Sequence, residues 1–140
     1  MKLVIGILLL GISSQGFAQC TDFTGTYKCE GGSVLVLKQT DCTLLEITET
    51  NPQGQSFEIV WNTDGVAHYY EPGSDFRNIW TAYHSDDGIH HFVGSHDSYE
   101  KKTTTYRRHL SVDKAGNLSV YYLKARDGVT LREHTNICAR

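Results

Sequence analysis

Residues 77–96 read RNIWTAYH-SDDG-IHHFVGSH, and this stretch decides the fold. Two runs rich in β-branched and aromatic residues, 77–84 and 89–96, flank four small or acidic residues. Such runs favour β-strands, and Asp87-Gly88 fits a tight hairpin turn because Gly and Asp tolerate positive φ angles. The stretch therefore predicts a β-hairpin.

The same alternation of short apolar runs and turn residues continues through the chain. Further turns are predicted at Asp64-Gly65 and Asp127-Gly128, and helix signals are nearly absent after residue 20. About ten strands with short links would form an up-and-down antiparallel meander. A long meander leaves two exposed edges unless it closes, so we predict an all-β barrel of roughly eight to ten strands. A two-sheet sandwich is the alternative, and residues 19–140 are predicted to form a single domain.

The N-terminus has the pattern of a secretory signal peptide. Lys2 precedes an apolar run over residues 3–12, and small residues then suit cleavage after Ala18. The run is too short to span a membrane, which takes about 20 apolar residues. We therefore predict a signal peptide over residues 1–18, a secreted or periplasmic location, and no membrane insertion after cleavage.

The charge of the chain argues against two classes of partner. Thirteen Lys and Arg stand against 16 Asp and Glu, a formal net charge of −3, and loss of Lys2 with the signal peptide lowers it to about −4. Nucleic acids and anionic membranes attract basic surfaces. Neither is therefore expected as a partner.

Four cysteines in a chain predicted to be exported indicate two disulfides, with three connectivities open by count alone. A two-residue turn at residues 31–32 would bring Cys20 next to Cys42 across the first hairpin, so this bridge is favoured. Cys29 and Cys138 then remain, and their bridge would tie the last strand to the first. A Cys29–Cys42 bridge would have to cover about 20 Å of strand, which is beyond disulfide reach.

Two short stretches resemble known exported proteins. DFTGTY (residues 22–27) resembles the opening strand of the calycin group, which comprises lipocalins, avidins and fatty-acid-binding proteins, with Tyr27 in place of the group's tryptophan. YKCEGG (residues 27–32) is similar to the first strand of periplasmic inhibitors of C-type lysozymes. Those inhibitors are small exported barrels with a disulfide from that strand's cysteine towards the C-terminus. Both resemblances imply a small exported barrel that binds rather than catalyses.

Four of the seven histidines lie in the hairpin of residues 77–96. Successive side chains of a strand point to opposite faces. His84 and His91 therefore share one face, and His90 and His96 share the other. Depending on the register of the turn, His84 and His91 lie directly opposite each other or one step apart.

His84 and His91 are candidate zinc ligands. Cross-strand neighbours have Cβ atoms about 5 Å apart, close enough for two imidazoles to bind one ion. The candidates for a third ligand are Asp86, Asp87, His68 and His109. Alternatively, the pair consists of ordinary surface histidines, or binds an anion when protonated, near pH 6.

Aromatic and basic residues predict a binding cavity inside the barrel. Eight tyrosines suit a cavity wall that is apolar but can form hydrogen bonds. In YRRHL (residues 106–110) the two arginines point to opposite faces, and one that points inwards would hold a carboxylate or a phosphate. The predicted ligand-binding residues are Tyr70, Trp80, Arg107, Tyr122 and Arg132.

The chain contains no Gly-x-Ser-x-Gly and no His-Glu-x-x-His motif, which favours a non-enzymatic protein. The leading hypothesis is an exported barrel that holds a small, partly apolar or anionic ligand, with no cofactor. One alternative is an inhibitor of a secreted cell-wall hydrolase such as lysozyme, acting through residues 71–78 and 84–89. The other alternative is a metal-binding protein that uses the histidines to hold zinc.

Overall fold

A computed structural model describes residues 20–70 and 76–140, which form ten β-strands. In chain order these are β1 (Gly25–Cys29), β2 (Val34–Thr40), β3 (Leu44–Thr50), β4 (Ser56–Asn62), β5 (His68–Tyr70), β6 (Phe76–Ser85), β7 (Gly88–Asp97), β8 (Lys102–Val112), β9 (Leu118–Arg126) and β10 (Val129–Ala139). No helix in these two ranges is long and apolar enough to cross a bilayer. The predicted signal peptide lies outside the described residues.

The strands form one antiparallel sheet in the order β4-β3-β2-β1-β10-β9-β8-β7-β6-β5. This order confirms the predicted meander, in which the first and last strands pair. The predicted closure into a barrel is wrong, since no ladder within the described residues joins β4 to β5.

The sheet stays open because the edge of β6 that faces away from β7 is already occupied. Asp64, which follows β4, forms a bridge with Tyr83, and the Gly65 N–H donates to the Ala82 carbonyl at 2.9 Å. β5 pairs further along the same edge of β6. The connection from β4 to β5 therefore occupies the edge that β4 would need for closure.

The core lies on the inner face of the curled sheet. Trp61 of β4 stacks on His91 of β7 with ring centroids 4.2 Å apart, so strands far apart in the sheet order face each other. Tyr27 is fully buried, and its hydroxyl donates to the Phe23 carbonyl at 3.1 Å. The other large, fully buried side chains are Phe23, Leu37, Leu45, Ile89, Leu118 and Cys138. Alternating apolar residues of successive strands thus supply one continuous core.

Both predicted disulfides, Cys20–Cys42 and Cys29–Cys138, are confirmed. Cys29 and Cys138 are paired residues in the ladder between β1 and β10, which extends over two residue pairs. The bridge therefore reinforces the short contact between the first and last strands. Two intramolecular disulfides are typical of secreted or periplasmic proteins.

The predicted hairpin of residues 77–96 is formed by β6 and β7, in the one of the two predicted registers that sets His84 and His91 one step apart. Its two-residue loop begins one residue before Asp87-Gly88. Ser85 pairs with Gly88, so residues 86–87 form the loop and Gly88 opens β7. Gly88 has a φ of +142°, and a Cβ atom there would lie 1.9 Å from the carbonyl oxygen of Leu110. The glycine is required because the turn packs directly against the backbone of β8.

Candidate functional site

The inner face holds an open cavity of about 250 Å³, bounded by β1, β2, β3, β8, β9 and β10. Ladder pairing assembles its polar wall: Arg108 of β8 pairs with Tyr122 of β9, and Tyr122 pairs with His134 of β10. Arg132 precedes His134 by two residues and also lines the cavity. Tyr122 and Arg132, both predicted as ligand-binding residues, are therefore brought together here.

Aromatic rings hold the guanidinium of Arg108 in place. Its Cζ lies 5.8 Å from the ring centroid of Tyr122 and 6.0 Å from that of Trp61, within the range of cation–π attraction. Within residues 20–70 and 76–140, no carboxylate lies within 4.0 Å of the guanidinium of Arg108 or Arg132. Both positive charges are thus available to an anion that enters the cavity.

The rest of the wall combines one negative charge with apolar surface. Glu49 is the acidic residue of the lining, and Leu35 and Val120 supply apolar contact. His134 tilts against Tyr122 with ring centroids 5.1 Å apart, and its Nδ1 is buried without a partner among the described residues. Two arginines against one glutamate leave the cavity with a net positive charge, which suits an anionic ligand.

The other predicted ligand-binding residues lie elsewhere. Trp80 stacks on His68 with ring centroids 4.3 Å apart and is not among the residues that line the cavity. Tyr70 ends β5, an edge strand that is not one of the six strands around the cavity. Arg107 is exposed on the outer face, where its Cζ lies 5.9 Å from the ring centroid of Phe92.

Arg108, rather than Arg107, reaches the cavity because side chains alternate along β8. Leu110 is buried in the core, so the residue two positions earlier also faces inwards. The apolar Leu110 in YRRHL was the sequence signal that could have identified Arg108. His134 and Glu49 had no comparable signal, because their roles depend on which strands meet at the cavity.

His84 and His91 share one face of the sheet, as predicted, one step apart in the ladder between β6 and β7. This face is the core side. His91 is 6% exposed, and burial, followed by the positive charge of Arg108, lowers its pKa to about 4. Burial also lowers the pKa of His84, whose two ring nitrogens are buried without partners among the described residues. These shifts oppose the idea that the pair binds an anion in its protonated form.

The zinc hypothesis for His84 and His91 requires a third ligand. Where the described residues bring three potential ligand side chains together, the group contains neither of these histidines. The two histidines thus share a face as predicted, but among residues 20–70 and 76–140 no third ligand side chain joins them.

Of the two loops proposed to contact a hydrolase, residues 84–89 are described; they comprise the end of β6, the two-residue turn and the start of β7. Most of the other loop, residues 71–75, lies outside the described residues.

The sequence matches no known protein-family model and no curated protein.

Proposed function

We propose that the protein is an exported, non-enzymatic binding protein that holds a small, partly apolar anion in the cavity between β1–β3 and β8–β10. The observation that carries the proposal is the convergence of Arg108 and Arg132 on a cavity whose lining contains one carboxylate, that of Glu49. Guanidinium groups bind carboxylates and phosphates through paired, charge-assisted hydrogen bonds. The cavity therefore offers the chemistry of an anion-binding site.

The size and the walls of the cavity narrow the ligand class. Its volume of about 250 Å³ lies just below the usual range of ligand pockets, roughly 300–1,000 Å³. Leu35 and Val120 form apolar surface, and Tyr122 offers both a ring and a hydroxyl. A carboxylate or phosphate attached to a small apolar or aromatic group fits these properties.

Export and the lack of an enzymatic role are parts of the same proposal. The signal-peptide pattern of residues 1–18 supports a secreted or periplasmic location, as do the two disulfides. The likeness of residues 22–27 to the opening strand of calycins supports a binding role. A non-enzymatic role is supported by the absence of nucleophile-elbow and zinc-hydrolase motifs from the sequence.

The test compares two adjacent arginines on opposite faces of β8. Small carboxylates and phosphates, including benzoate and inorganic phosphate, would be titrated into the protein by calorimetry. We expect Arg108→Gln to weaken binding of the best anion by about 10-fold or more, since a hydrogen bond to a charged group contributes about 1.5–3 kcal/mol. Arg107→Gln removes the same charge from the outer face and should change affinity by less than about 2-fold, apart from long-range screening effects.

Two outcomes would contradict the proposal. One is that none of the anions binds to the wild-type protein. The other is that Arg108→Gln and Arg107→Gln weaken binding equally, because that would show a general charge effect. Thermal unfolding of both variants would confirm that they are folded, since Arg108 also contacts the rings of Trp61 and Tyr122.

A further inference from the structure

A second cluster of side chains lies on the outer face, where the turn between β6 and β7 meets β8. His90 of β7 and His109 of β8 are paired residues, and their rings stack with centroids 4.4 Å apart. Asp87 of the turn reaches both rings: its Oδ1 lies 2.9 Å from Nε2 of His90, and its Oδ2 lies 3.6 Å from Nε2 of His109. One potential ligand atom from each residue thus lies within 4.8 Å of the other two.

We infer that Asp87, His90 and His109 form a binding site for a divalent transition-metal ion such as Zn²⁺. Zinc bonds to His nitrogen and carboxylate oxygen are about 2.0–2.2 Å long, which puts the ligand atoms of a tetrahedral site about 3.3–3.6 Å apart. Each histidine Nε2 lies within about 0.4 Å of that spacing from one carboxylate oxygen of Asp87, at 2.9 Å from Oδ1 for His90 and at 3.6 Å from Oδ2 for His109. Two imidazoles and one carboxylate leave a fourth position for water or another small ligand.

The backbone holds the three ligands in place before any ion binds. The ladder of β7 and β8 fixes His90 and His109. Tyr83 of β6 stacks on the side of the His90 ring that faces away from His109, with ring centroids 5.1 Å apart. The hydroxyl of Ser85 donates to Oδ1 of Asp87, and its oxygen lies 3.1 Å from the Gly88 carbonyl oxygen. Little conformational freedom would therefore be lost on metal binding.

The site is also accessible. Asp87 is 65% exposed, His90 33% and His109 26%, so an ion can enter from solvent without movement of the sheet. At present Nε2 of His109 also lies 3.2 Å from the backbone carbonyl of Asp87. Metal binding would replace this contact and the contacts of both rings with the carboxylate.

Zinc titration of metal-free protein, without an affinity tag, tests the inference. Calorimetry should show one Zn²⁺ ion per chain. We expect His109→Gln and Asp87→Asn each to weaken zinc binding at least about 10-fold, because even residues that merely orient a ligand contribute 10–100-fold. His96→Gln, an exposed histidine on the same face of β7, should leave the affinity within about 2-fold of the wild type. The double substitution His84→Gln/His91→Gln should do the same and separates this site from the inner pair.

Thermal unfolding supplies a second readout, since an ion that binds the folded state raises the melting temperature. The zinc-dependent increase should be present in the wild type and in His96→Gln but lost in His109→Gln. The inference is overturned if the wild type does not bind zinc, if His109→Gln binds it as tightly as the wild type, or if only the inner double variant loses it.

Discussion

Acidification should destabilise the folded protein through His91. The ring of this histidine is 6% exposed and stacks on Trp61 with centroids 4.2 Å apart and planes 6° apart. Burial, with a smaller contribution from the charge of Arg108, lowers its pKa from 6.5 to about 4. The folded state therefore contains neutral His91 at pH values where an unfolded chain would already be protonated.

The direction of the effect follows from proton binding. Below pH 6.5, His91 binds a proton in the unfolded chain but stays neutral in the folded protein. The free energy of unfolding therefore falls as the pH falls. The loss continues until the pH reaches about 4, where folded His91 is also protonated. The difference between the His91 pKa of 6.5 in the unfolded chain and about 4 in the folded protein corresponds to about 3 kcal/mol in the free energy of unfolding. Because the ring keeps some solvation, we expect about 2 kcal/mol.

The assay is urea unfolding followed by tryptophan fluorescence from about pH 7.5 to about pH 4.5. The comparison is with His91→Phe, which keeps a flat ring against Trp61 but cannot titrate. The wild type should lose about 2 kcal/mol more than His91→Phe over this interval. His84 also has a lowered pKa but is unchanged in both proteins, so its contribution cancels in the comparison. Parallel pH profiles for wild type and His91→Phe would refute the reasoning.

Two further predictions concern the glycine at the β6–β7 turn and the two disulfides. Gly88→Ala should lower the free energy of unfolding by about 3 kcal/mol or more, because the new Cβ would lie 1.9 Å from the Leu110 carbonyl oxygen. Gly128→Ala, at φ +82° with open space around it, should cost only about 1 kcal/mol in urea unfolding, and equal losses would contradict the clash. Replacing Cys29 and Cys138 by serine should cost about 4–5 kcal/mol, since their bridge spans 109 residues. Removing the other bridge, which spans 22 residues, should cost about 3 kcal/mol, and the reverse order in the same assay would refute the loop-entropy argument.

Features that depend on neighbouring residues were predictable from the sequence. The hairpin turn at Asp127-Gly128 is confirmed, with both residues at positive φ. The Cys20–Cys42 bridge is also confirmed. The two-residue turn from which it was predicted is wrong by one residue, since Lys28 pairs with Val34 and residues 30–32 form the loop. Each of these features is set by turn chemistry and by the two-residue period of a strand.

Closure of the sheet was not predictable in this way, because it depends on competition for one strand edge. The general cost of an exposed edge favoured a barrel. The bridge from Asp64 to Tyr83 and the Gly65–Ala82 hydrogen bond instead assign the edge of β6 to the connection after β4. No local pattern around residues 62–68 reveals which distant strand that connection will meet.

For the candidate histidines, the shared face was predictable but the partners were not. Alternation correctly separated His84 and His91 from His90 and His96. It could not show that His109 would stand directly opposite His90, because that pairing depends on the register between β7 and β8. That register depends on the length and conformation of the connection between β7 and β8, which strand alternation does not predict.

Strand alternation places the two proposed sites back to back on one ladder. The pairing of β7 with β8 sets His91 opposite Arg108 on the inner face and His90 opposite His109 on the outer face. On the inner face a cation lies beside a histidine that stays neutral, so the charge of Arg108 is left for an anion. On the outer face two imidazoles share the carboxylate of Asp87, an arrangement that suits a cation. The two sites should therefore be separable: His109→Gln should spare anion binding and Arg108→Gln should spare zinc binding, whereas loss of both activities in one variant would indicate unfolding.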